Sequence, residues 1–184
     1  MNEDPSYSLR SDRETLGLLR DVAQADWEAC CVQGGKLEQV SPGLYRCSGL
    51  LIRKGDAIWI AFEAVDIEEC GEAFKLTASV LSEAAMKAPT WRPLLESVAT
   101  FPNGCALNRF FRGPRTVEVL SEVIAPTELE APSSATVDAG LLVRNSDGLC
   151  LVFVHDTRQP LQAVLSTDHL VVESQLARFS TRPL

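Results

Sequence analysis

The sequence predicts an α+β fold, in which flanking helices pack on a mainly antiparallel sheet of β-meanders and hairpins. Three observations predict it. A helical apolar period near the N-terminus gives way to short β-prone runs separated by glycine-containing turns. A fourteen-residue phrase, GLLIRKGDAIWIAF at 49–62, returns as GLLVRNSDGLCLVF at 140–153. Apolar residues make up 46% of the 184 residues, which is enough material for one good core or two small subdomains.

The first element is a helix from about residue 12 to 25. Residues 11–14, Ser-Asp-Arg-Glu, have the form of a capping box, in which the serine hydroxyl and the glutamate carboxylate satisfy backbone N–H groups at a helix start. Leu16, Leu19 and Val22 follow at helical spacing. The ten residues before this helix are expected to be flexible.

Short β-type runs follow the helix, namely WEACCVQ, KLEQV, LYRCSGLLIR and DAIWIAFEAV. Glycine-containing breaks between such runs are typical of hairpins, because glycine accepts the positive φ of tight turns. The pattern predicts an antiparallel meander. From Ala57 to Val65 both strand faces are apolar, so that strand should be central and covered on both sides.

The middle of the chain is less sharply patterned. The acidic stretch at 63–75 is interpreted as a solvated connection, and residues 74–88 fit either a strand entering a helix or one helix throughout. The run TVEVLSEVIA predicts a strand. Two prolines and paired serines make 126–136 the best candidate linker. Residues 11–125 would thus form an α+β unit of helix, β-meander and further helices.

The segment 137–184 is predicted to pack on the same core as a second hairpin and a closing helix. AGLLVR and LCLVFVH flank the turn NSDG, and PLQAVLS is a candidate third strand. TDHLVVESQLARF follows as a helix with Thr167 or Asp168 near its cap.

The repeated phrase raises the hypothesis of an internal duplication into two similar halves. Six of its fourteen positions are identical at an offset of ninety-one residues, almost half the chain. The alternative is coincidence, because any buried hairpin favours glycine, leucine and a turn aspartate. Under either interpretation both copies should form hairpins whose backbones superpose.

Charge and cysteine usage narrow the functional classes. A formal charge of −8 repels phosphate backbones and anionic lipid surfaces, so no nucleic-acid or membrane partner is expected. No uncharged run reaches the roughly 18 residues that span a bilayer, and the first residues do not resemble a secretory signal. The six cysteines lack a C-x-x-C spacing, which favours reduced, buried thiols. A cytoplasmic location is expected.

Candidate chemistry is sparse. His155, followed by Asp156, could serve as a general base for Cys105 or Cys150. Cys105, in the glycine-containing segment FPNGCALN, is the better thiol, because Cys150 lies on the opposite strand face from His155. Such a trio occurs in most chains of this length, and no nucleotide-binding or serine-hydrolase motif is present. The sequence therefore predicts no catalytic residues, no cofactor and no metal site, and favours a protein that is not an enzyme.

The candidate binding site is the segment LNRFFRGPR, which departs from the acidic background. Its proposed contact residues are Arg109, Phe110, Phe111, Arg112 and Arg115. Guanidinium groups hold carboxylates or phosphates by paired hydrogen bonds, and aromatic neighbours exclude water. The alternative is that the phenylalanines pack inward and the arginines are solvated.

Three functional hypotheses follow. The leading one is a non-enzymatic protein-binding or regulatory protein, similar in role to an immunity protein or an adaptor, whose partner is another protein. The second is a binder of a small anionic ligand at the Arg109–Arg115 segment. The third is a cysteine-dependent enzyme that uses Cys105 with His155.

Overall fold

The computed structural model describes residues 7–24, 26, 29–32, 38–54, 56–67, 71–82, 84, 110–125, 134–148, 150–159 and 161–184. Within these ranges the protein has two helices and twelve strands, and all but one of the strand pairings are antiparallel. The predicted α+β class, with a mainly antiparallel sheet system, is confirmed.

The elements of the first part of the chain are β1 (Tyr7–Leu9), α1 (Arg13–Gln24), β2 (Ala29–Val32), β3 (Glu38–Ser41), β4 (Leu44–Cys47), β5 (Leu50–Lys54), β6 (Asp56–Ile67) and β7 (Gly71–Leu81). Those of the second part are β8 (Arg115–Ile124), β9 (Ala135–Asn145), β10 (Cys150–His155), β11 (Ala163–Ser166), α2 (His169–Leu176) and β12 (Ser180–Pro183).

The strands form two sheets. The larger has the order β12-β8-β9-β10-β11-β4-β3, and β1 adds to it by pairing in parallel with β9. The smaller has the order β2-β5-β6-β7. The segment 137–184 therefore shares its sheet with β3, β4 and β8, and residues 126–133 of the predicted linker lie outside the described ranges. The division of the chain into these segments stays a prediction.

The main core lies between the two sheets. Phe153 of the larger sheet stacks on Phe62 of the smaller one, with ring centroids 5.3 Å apart, and Leu19 and Val22 of α1 join the same cluster. On the other face of the larger sheet, Val172 of α2 packs against a second cluster that includes Val152. The centre of the larger sheet is thus covered on both faces, which explains the near-continuous apolar sequence of β9 and β10.

The predicted first helix is confirmed, but its cap is one residue later than the sequence indicated. The Thr15 N–H donates to the Asp12 carboxylate at 2.7 Å, and this hydrogen bond keeps the pKa of Asp12 below its usual value. Ser11 has another role, because its hydroxyl donates to the Leu76 carbonyl at 2.9 Å. The Ala78 N–H in turn donates to the Thr15 hydroxyl, so the start of α1 covers the outer edge of β7.

A flexible segment was expected over residues 1–10; the structure forms a strand within the part of it that is described, and residues 1–6 lie outside the described ranges. Tyr7 to Leu9 form β1, and the Tyr7 N–H donates to the Ser134 carbonyl at 3.0 Å. The first part of β9, Ala135 to Val137, pairs with β8 on one side and lies beyond the end of β10 on the other. Its backbone groups on that side are available for β1, which the polar sequence of residues 7–9 did not indicate.

The predicted meander is divided between the two sheets. LYRCSGLLIR is not one run: β4 pairs with β3 and β11 in the larger sheet, whereas β5 pairs with β6 in the smaller. The chain crosses at Ser48 and Gly49. A Cβ on Gly49 would lie 2.6 Å from the Ile60 carbonyl oxygen, so this crossing requires a residue without a side chain.

Residues 63–67 and 71–75 of the acidic stretch are paired strands and not a solvated connection, and residues 68–70 lie outside the described ranges. β6 and β7 pair without interruption from Ala57 opposite Leu81 to Ile67 opposite Gly71. Glu63 lies opposite Lys75, and their charged groups are 3.0 Å apart, so part of the acidic charge is neutralised across the strands. For residues 74–81 the strand alternative is correct, and residues 85–88 lie outside the described ranges.

Strand β6 lies between β5 and β7, as its apolar sequence predicted. Ile58, Ile60 and Phe62 of one face are in the main core. On the opposite face Ala57 is also buried, in a small cluster with Leu51.

Both copies of the repeated phrase form hairpins, but their registers differ by two residues. Ile52 pairs with Ile58, whereas Val143, its counterpart at the ninety-one-residue offset, pairs with Leu151, the counterpart of Ile60. The second hairpin therefore has the longer loop. A register shift of two residues leaves the same side chains facing the core. The shared sequence pattern therefore determines which strand face is buried, but it does not determine the length of the loop. The structure does not confirm an internal duplication.

The C-terminal helix begins where the sequence indicated and ends earlier. Asp168 is the N-cap of α2, and its carboxylate accepts from the backbone N–H groups of Leu170 and Val171 at 3.0 and 3.2 Å. After α2 the chain continues as β12, an edge strand paired with β8 that was not predicted. Among the described helices, none has the length and apolar character needed to span a membrane.

Candidate functional site

The segment proposed as the binding site is largely built into the core. Phe110 and Phe111 are buried in the main cluster between the sheets. Arg112 is exposed, and Arg109 lies outside the described residues. The phenylalanines thus pack inward, which is the alternative that the sequence had left open. Burial of both rings explains why two adjacent aromatic residues occur at this position.

Arg115 has a structural role that the sequence did not indicate. Its side chain is 1% exposed, and two of its guanidinium nitrogens, Nε and Nη2, donate to the Val22 carbonyl in the last turn of α1. A third nitrogen donates to the Gly113 carbonyl at 2.8 Å, and burial lowers the pKa of Arg115. Arg115 therefore caps the C-terminal end of α1. Anion binding by this segment stays a prediction that rests on Arg109 and Arg112.

The cysteine candidates for nucleophilic chemistry are not assembled with His155 within the described chain. Cys105 lies outside the described ranges. Cys150 and His155 are at opposite ends of β10, roughly 16 Å apart at 3.3 Å per residue. Cys47 is buried in the main core, and burial raises the pKa of its thiol to about 12, which keeps it protonated.

His155 lies where the main core opens to the surface. Its ring stacks on Phe74 of β7, with centroids 4.4 Å apart and planes 13° apart, and meets the Phe62 ring edge-on at 5.5 Å. Its Nε2 atom is buried, and no hydrogen-bond partner for it is found among the described residues. Burial lowers the pKa of His155 to about 4, so the imidazole is neutral at neutral pH. Two aromatic contacts hold a neutral imidazole whose Nε2 has unused hydrogen-bonding capacity.

A cleft of about 480 Å³ adjoins this imidazole. We call it the His155 cleft, and it is lined by Glu72, Ala73, Phe74, Glu122, Ile124, Val137, Ala139, His155, Thr157 and Arg178. Its walls come from β7 of the smaller sheet and from β8, β9 and the end of β10 of the larger one. A concave, partly apolar site with a few polar groups is the usual form of a binding pocket.

Among the lining residues that the structure describes, the charged groups are two carboxylates and one guanidinium. Arg178, just after α2, donates to the Glu122 carboxylate of β8 at 2.9 Å. Glu72 is exposed at the start of β7, and no ion pair to it is found within the described part of the chain. The lining therefore has a net negative charge, like the protein as a whole.

Asp156 does not orient the imidazole as a catalytic aspartate would. Its Oδ2 accepts from Arg46 Nε of β4 at 2.6 Å, and its Oδ1 accepts from the Arg158 N–H at 3.0 Å. This hydrogen bond from Arg46 raises the pKa of the guanidinium. A smaller cleft of about 200 Å³ lies on this side and shares His155, Thr157 and Arg178 with the first. The carboxylate is used to hold the β10–β11 turn against β4.

The described residues contain no group of three or more histidine, cysteine or acidic side chains that could hold a metal ion.

The buried imidazole predicts a pH dependence of stability. The unfolded chain takes up a proton on His155 near pH 6.5, whereas the folded protein does so only near pH 4. The contribution of the neutral imidazole to the free energy of unfolding is therefore complete above pH 6.5, and it is lost as the pH falls from 6.5 to about 4. We expect a loss of about 1–2 kcal/mol in the free energy of unfolding, since partial solvent access screens the effect.

Denaturant unfolding of the wild type and of His155→Phe at a series of pH values would measure this contribution. The charged groups around the ring, Asp156, Arg178, Glu72 and Glu122, are the same in both proteins, so the difference isolates the imidazole. Parallel stability curves for the two proteins between pH 4 and 6.5 would show that the imidazole is not desolvated.

Sequence reasoning had singled out His155 but not its surroundings. Glu72 was assigned to a solvated acidic stretch, and Glu122 and Arg178 had no role. The strand assignment of TVEVLSEVIA did place Glu122 and Ile124 near the end of a strand, but only the sheet order brings them beside His155. Comparison of the chain with protein-family models, curated proteins and solved structures found no match.

Proposed function

We propose that the protein is a non-enzymatic binding protein of the cytoplasm that acts on another protein, in the manner of an adaptor or an immunity protein. The observation that carries the proposal is the His155 cleft, a surface cavity of about 480 Å³ whose described lining combines an apolar wall with three charged side chains beside the stacked rings of Phe74 and His155.

Binding is favoured over catalysis by how the candidate groups are used. Asp156 is committed to Arg46 and the turn, and Cys150 is at the far end of β10 from His155. A general base also works best with a pKa near the working pH, whereas burial lowers that of His155 to about 4. These features support recognition by a fixed, neutral imidazole. The thiols of Cys47 and Cys150, both unpaired, are compatible with a reducing compartment.

A protein partner is favoured over a small ligand by the shape and position of the site. The cleft opens at the surface where both sheets end, and Thr157 and Glu72 at its border are exposed. A second cleft shares three of its lining residues, so a partner surface could engage both sides of the His155 and Arg178 side chains. The negative charge of the protein favours a partner with a basic surface.

Affinity capture with matched variants tests this function. The full chain is immobilised as wild type, as Glu72→Lys, as Thr157→Trp and as Asp21→Lys, and the proteins retained from the lysate of the native cell are quantified by mass spectrometry. We expect a partner that the wild type and Asp21→Lys retain equally and that the other two variants lose at least tenfold, because they reverse a cleft charge or block its mouth.

Asp21 is a suitable control, because it carries the same charge, is exposed on α1 and does not line the cleft. A set of retained proteins that is the same for all four baits would contradict the proposed function. Loss of the partner with Asp21→Lys as well would show that the overall charge decides binding and not the cleft.

A further inference from the structure

The chemistry of the His155 cleft indicates what kind of group it takes, and the following inference rests on the proposed function. Its apolar wall is formed by Ala73, Ile124, Val137 and Ala139 together with the edge of Phe74. These residues present no hydrogen-bonding side chain, so an occupant must offer them an apolar surface such as an alkyl chain. The volume of about 480 Å³ exceeds that of a single long side chain.

The charged side chains at the polar end of the cleft determine whether a cation or an anion is favoured as its occupant. Arg178 is the one cationic residue among the described residues of the lining, and its guanidinium is already hydrogen-bonded to Glu122. Glu72 remains without an ion pair among the described residues. An anion would meet two carboxylates and one neutralised guanidinium, whereas a cation would gain attraction from Glu72 and share Glu122.

The neutral state of the His155 imidazole is also compatible with a cationic occupant. Because burial keeps His155 neutral down to about pH 4, it does not repel a cation. The stacked rings of Phe74 and His155 hold this part of the lining in place, since rotation of either ring would break a 4.4 Å contact. Pre-organisation of this kind lowers the entropy cost of binding.

We propose that the His155 cleft takes the side chain of a lysine or arginine from the partner protein, with the alkyl stem along the wall of Ala73, Val137 and Ala139. The charged end lies toward Glu72 and Glu122, beside the uncharged His155 ring. The partner is therefore a protein that presents a protruding basic residue on an otherwise complementary surface. This arrangement balances the negative charge of the lining.

Titration with three matched compounds tests the occupant without the partner. Nα-acetyl-lysine N-methylamide, its norleucine counterpart and its glutamate counterpart are added to the full chain, and the NMR signals of the His155 ring and of the Ala73 and Ala139 methyl groups are followed. We expect saturable shifts with the lysine compound in the millimolar range, as for a single side chain, and much smaller shifts with the other two.

Variants of the cleft make the assignment specific. Glu72→Gln should weaken the lysine compound several-fold, and Asp21→Asn, the control on the exposed face of α1, should leave its affinity unchanged. His155→Phe keeps the ring stack and the charges of the lining, so it should bind the lysine compound as the wild type does while it remains folded by its unfolding curve. No saturable shift, equal shifts with norleucine, or tighter binding of glutamate would each overturn the inference.

The two experiments separate the inference from the function on which it rests. A partner that is lost from Glu72→Lys and Thr157→Trp, in a protein that does not bind the lysine compound, leaves the binding function in place and overturns the cationic occupant. Binding of the lysine compound at His155 with no partner captured supports the chemistry of the cleft and contradicts a protein partner.

Discussion

Replacement of Asp138 by asparagine is expected to lower the free energy of unfolding by about 3 kcal/mol, at the lower end of the range for breaking a buried ion pair. The Asp138 carboxylate is 0% exposed in the middle of β9. Its Oδ2 accepts from the Ser11 N–H and from Arg182, both at 2.8 Å, and its Oδ1 accepts from the Ser121 hydroxyl at 2.8 Å and from Arg10 at 3.3 Å. All four groups that contact the carboxylate are hydrogen-bond donors, and two of them, Arg10 and Arg182, are charged.

An asparagine in this position keeps the volume and removes the charge that holds two guanidiniums. One of its atoms becomes an NH₂ group that faces donors, so at least one hydrogen bond is lost and a donor is buried without an acceptor. The side chains of Arg10 and Arg182 are 45% and 36% exposed, and their access to water is the reason for placing the effect at the lower end of the range.

Denaturant unfolding at neutral pH measures this effect, with Asp21→Asn as a control on the exposed face of α1, where a change within about 0.5 kcal/mol is expected. Hydrogen exchange adds a local measurement. Because Asp138 connects β12 and the residues before α1 to the larger sheet, the amides of β12 should exchange faster in Asp138→Asn. A loss below about 1 kcal/mol would mean that the two arginines do not depend on this carboxylate.

The local elements could be predicted from the sequence because short-range rules decide them. Helix α1 was predicted at 12–25 and is observed at 13–24, since Leu16, Leu19 and Val22 lie on one helical face. The hairpin around Asn145 and Gly148 was predicted from its turn residues, and Gly148 has the positive φ of 76° that such a turn uses. These features depend on residues that are close together in the chain.

The assignment of strands to sheets could not be predicted in the same way. LYRCSGLLIR has β-propensity throughout, and only packing decides that the chain leaves one sheet at Ser48 and enters the other at Leu50. Strands β1 and β12 are short and contain polar residues, and β12 ends at Pro183. Both strands are held by pairing with β8 or β9, to which the Asp138 carboxylate adds further bonds, and this support cannot be read from their own sequences.

The candidate site shows the same division between local and long-range information. The arginine-aromatic segment stood out because its residues are adjacent, yet Phe110, Phe111 and Arg115 complete the core and the end of α1. The His155 cleft did not stand out, because it joins residues from β7, β8 and β9, the end of β10 and the turn after α2. Because its residues are adjacent in the sequence, the arginine-aromatic segment was predicted as the site, although its role is in packing. The residues of the cleft are brought together only by the order of the strands in the sheets.

The second large effect is expected at Gly140, the glycine that begins the second copy of the repeated phrase. Gly140 lies between Leu120 of β8 and Val154 of β10, at the centre of the larger sheet. A Cβ atom there would lie 2.6 Å from the Phe153 carbonyl oxygen and 2.6 Å from a methyl group of Val154. Both distances are shorter than real contacts allow, and the carbonyl belongs to a backbone that is paired on both sides.

Gly140→Ala should therefore lower the free energy of unfolding by about 1–3 kcal/mol, the usual cost of overpacking, because β9 and β10 must separate slightly to admit the methyl group. Gly17→Ala is a matched control that is expected to raise the free energy of unfolding. Gly17 lies in α1, and apart from the helix's own backbone and the two adjacent residues nothing lies within 4 Å of the position that a Cβ would take. Alanine should therefore stabilise the helix by about 0.5–1 kcal/mol.

Denaturant unfolding of the two alanine variants beside the wild type would check both signs in one series. A Gly140→Ala protein as stable as the wild type would show that β9 and β10 can separate at no cost, and the glycine would then have no steric role. The expected loss would instead explain why each copy of the phrase begins with glycine. Gly49 and Gly140 both lie against a backbone carbonyl, that of Ile60 in one hairpin and that of Phe153 in the other, although the two registers differ.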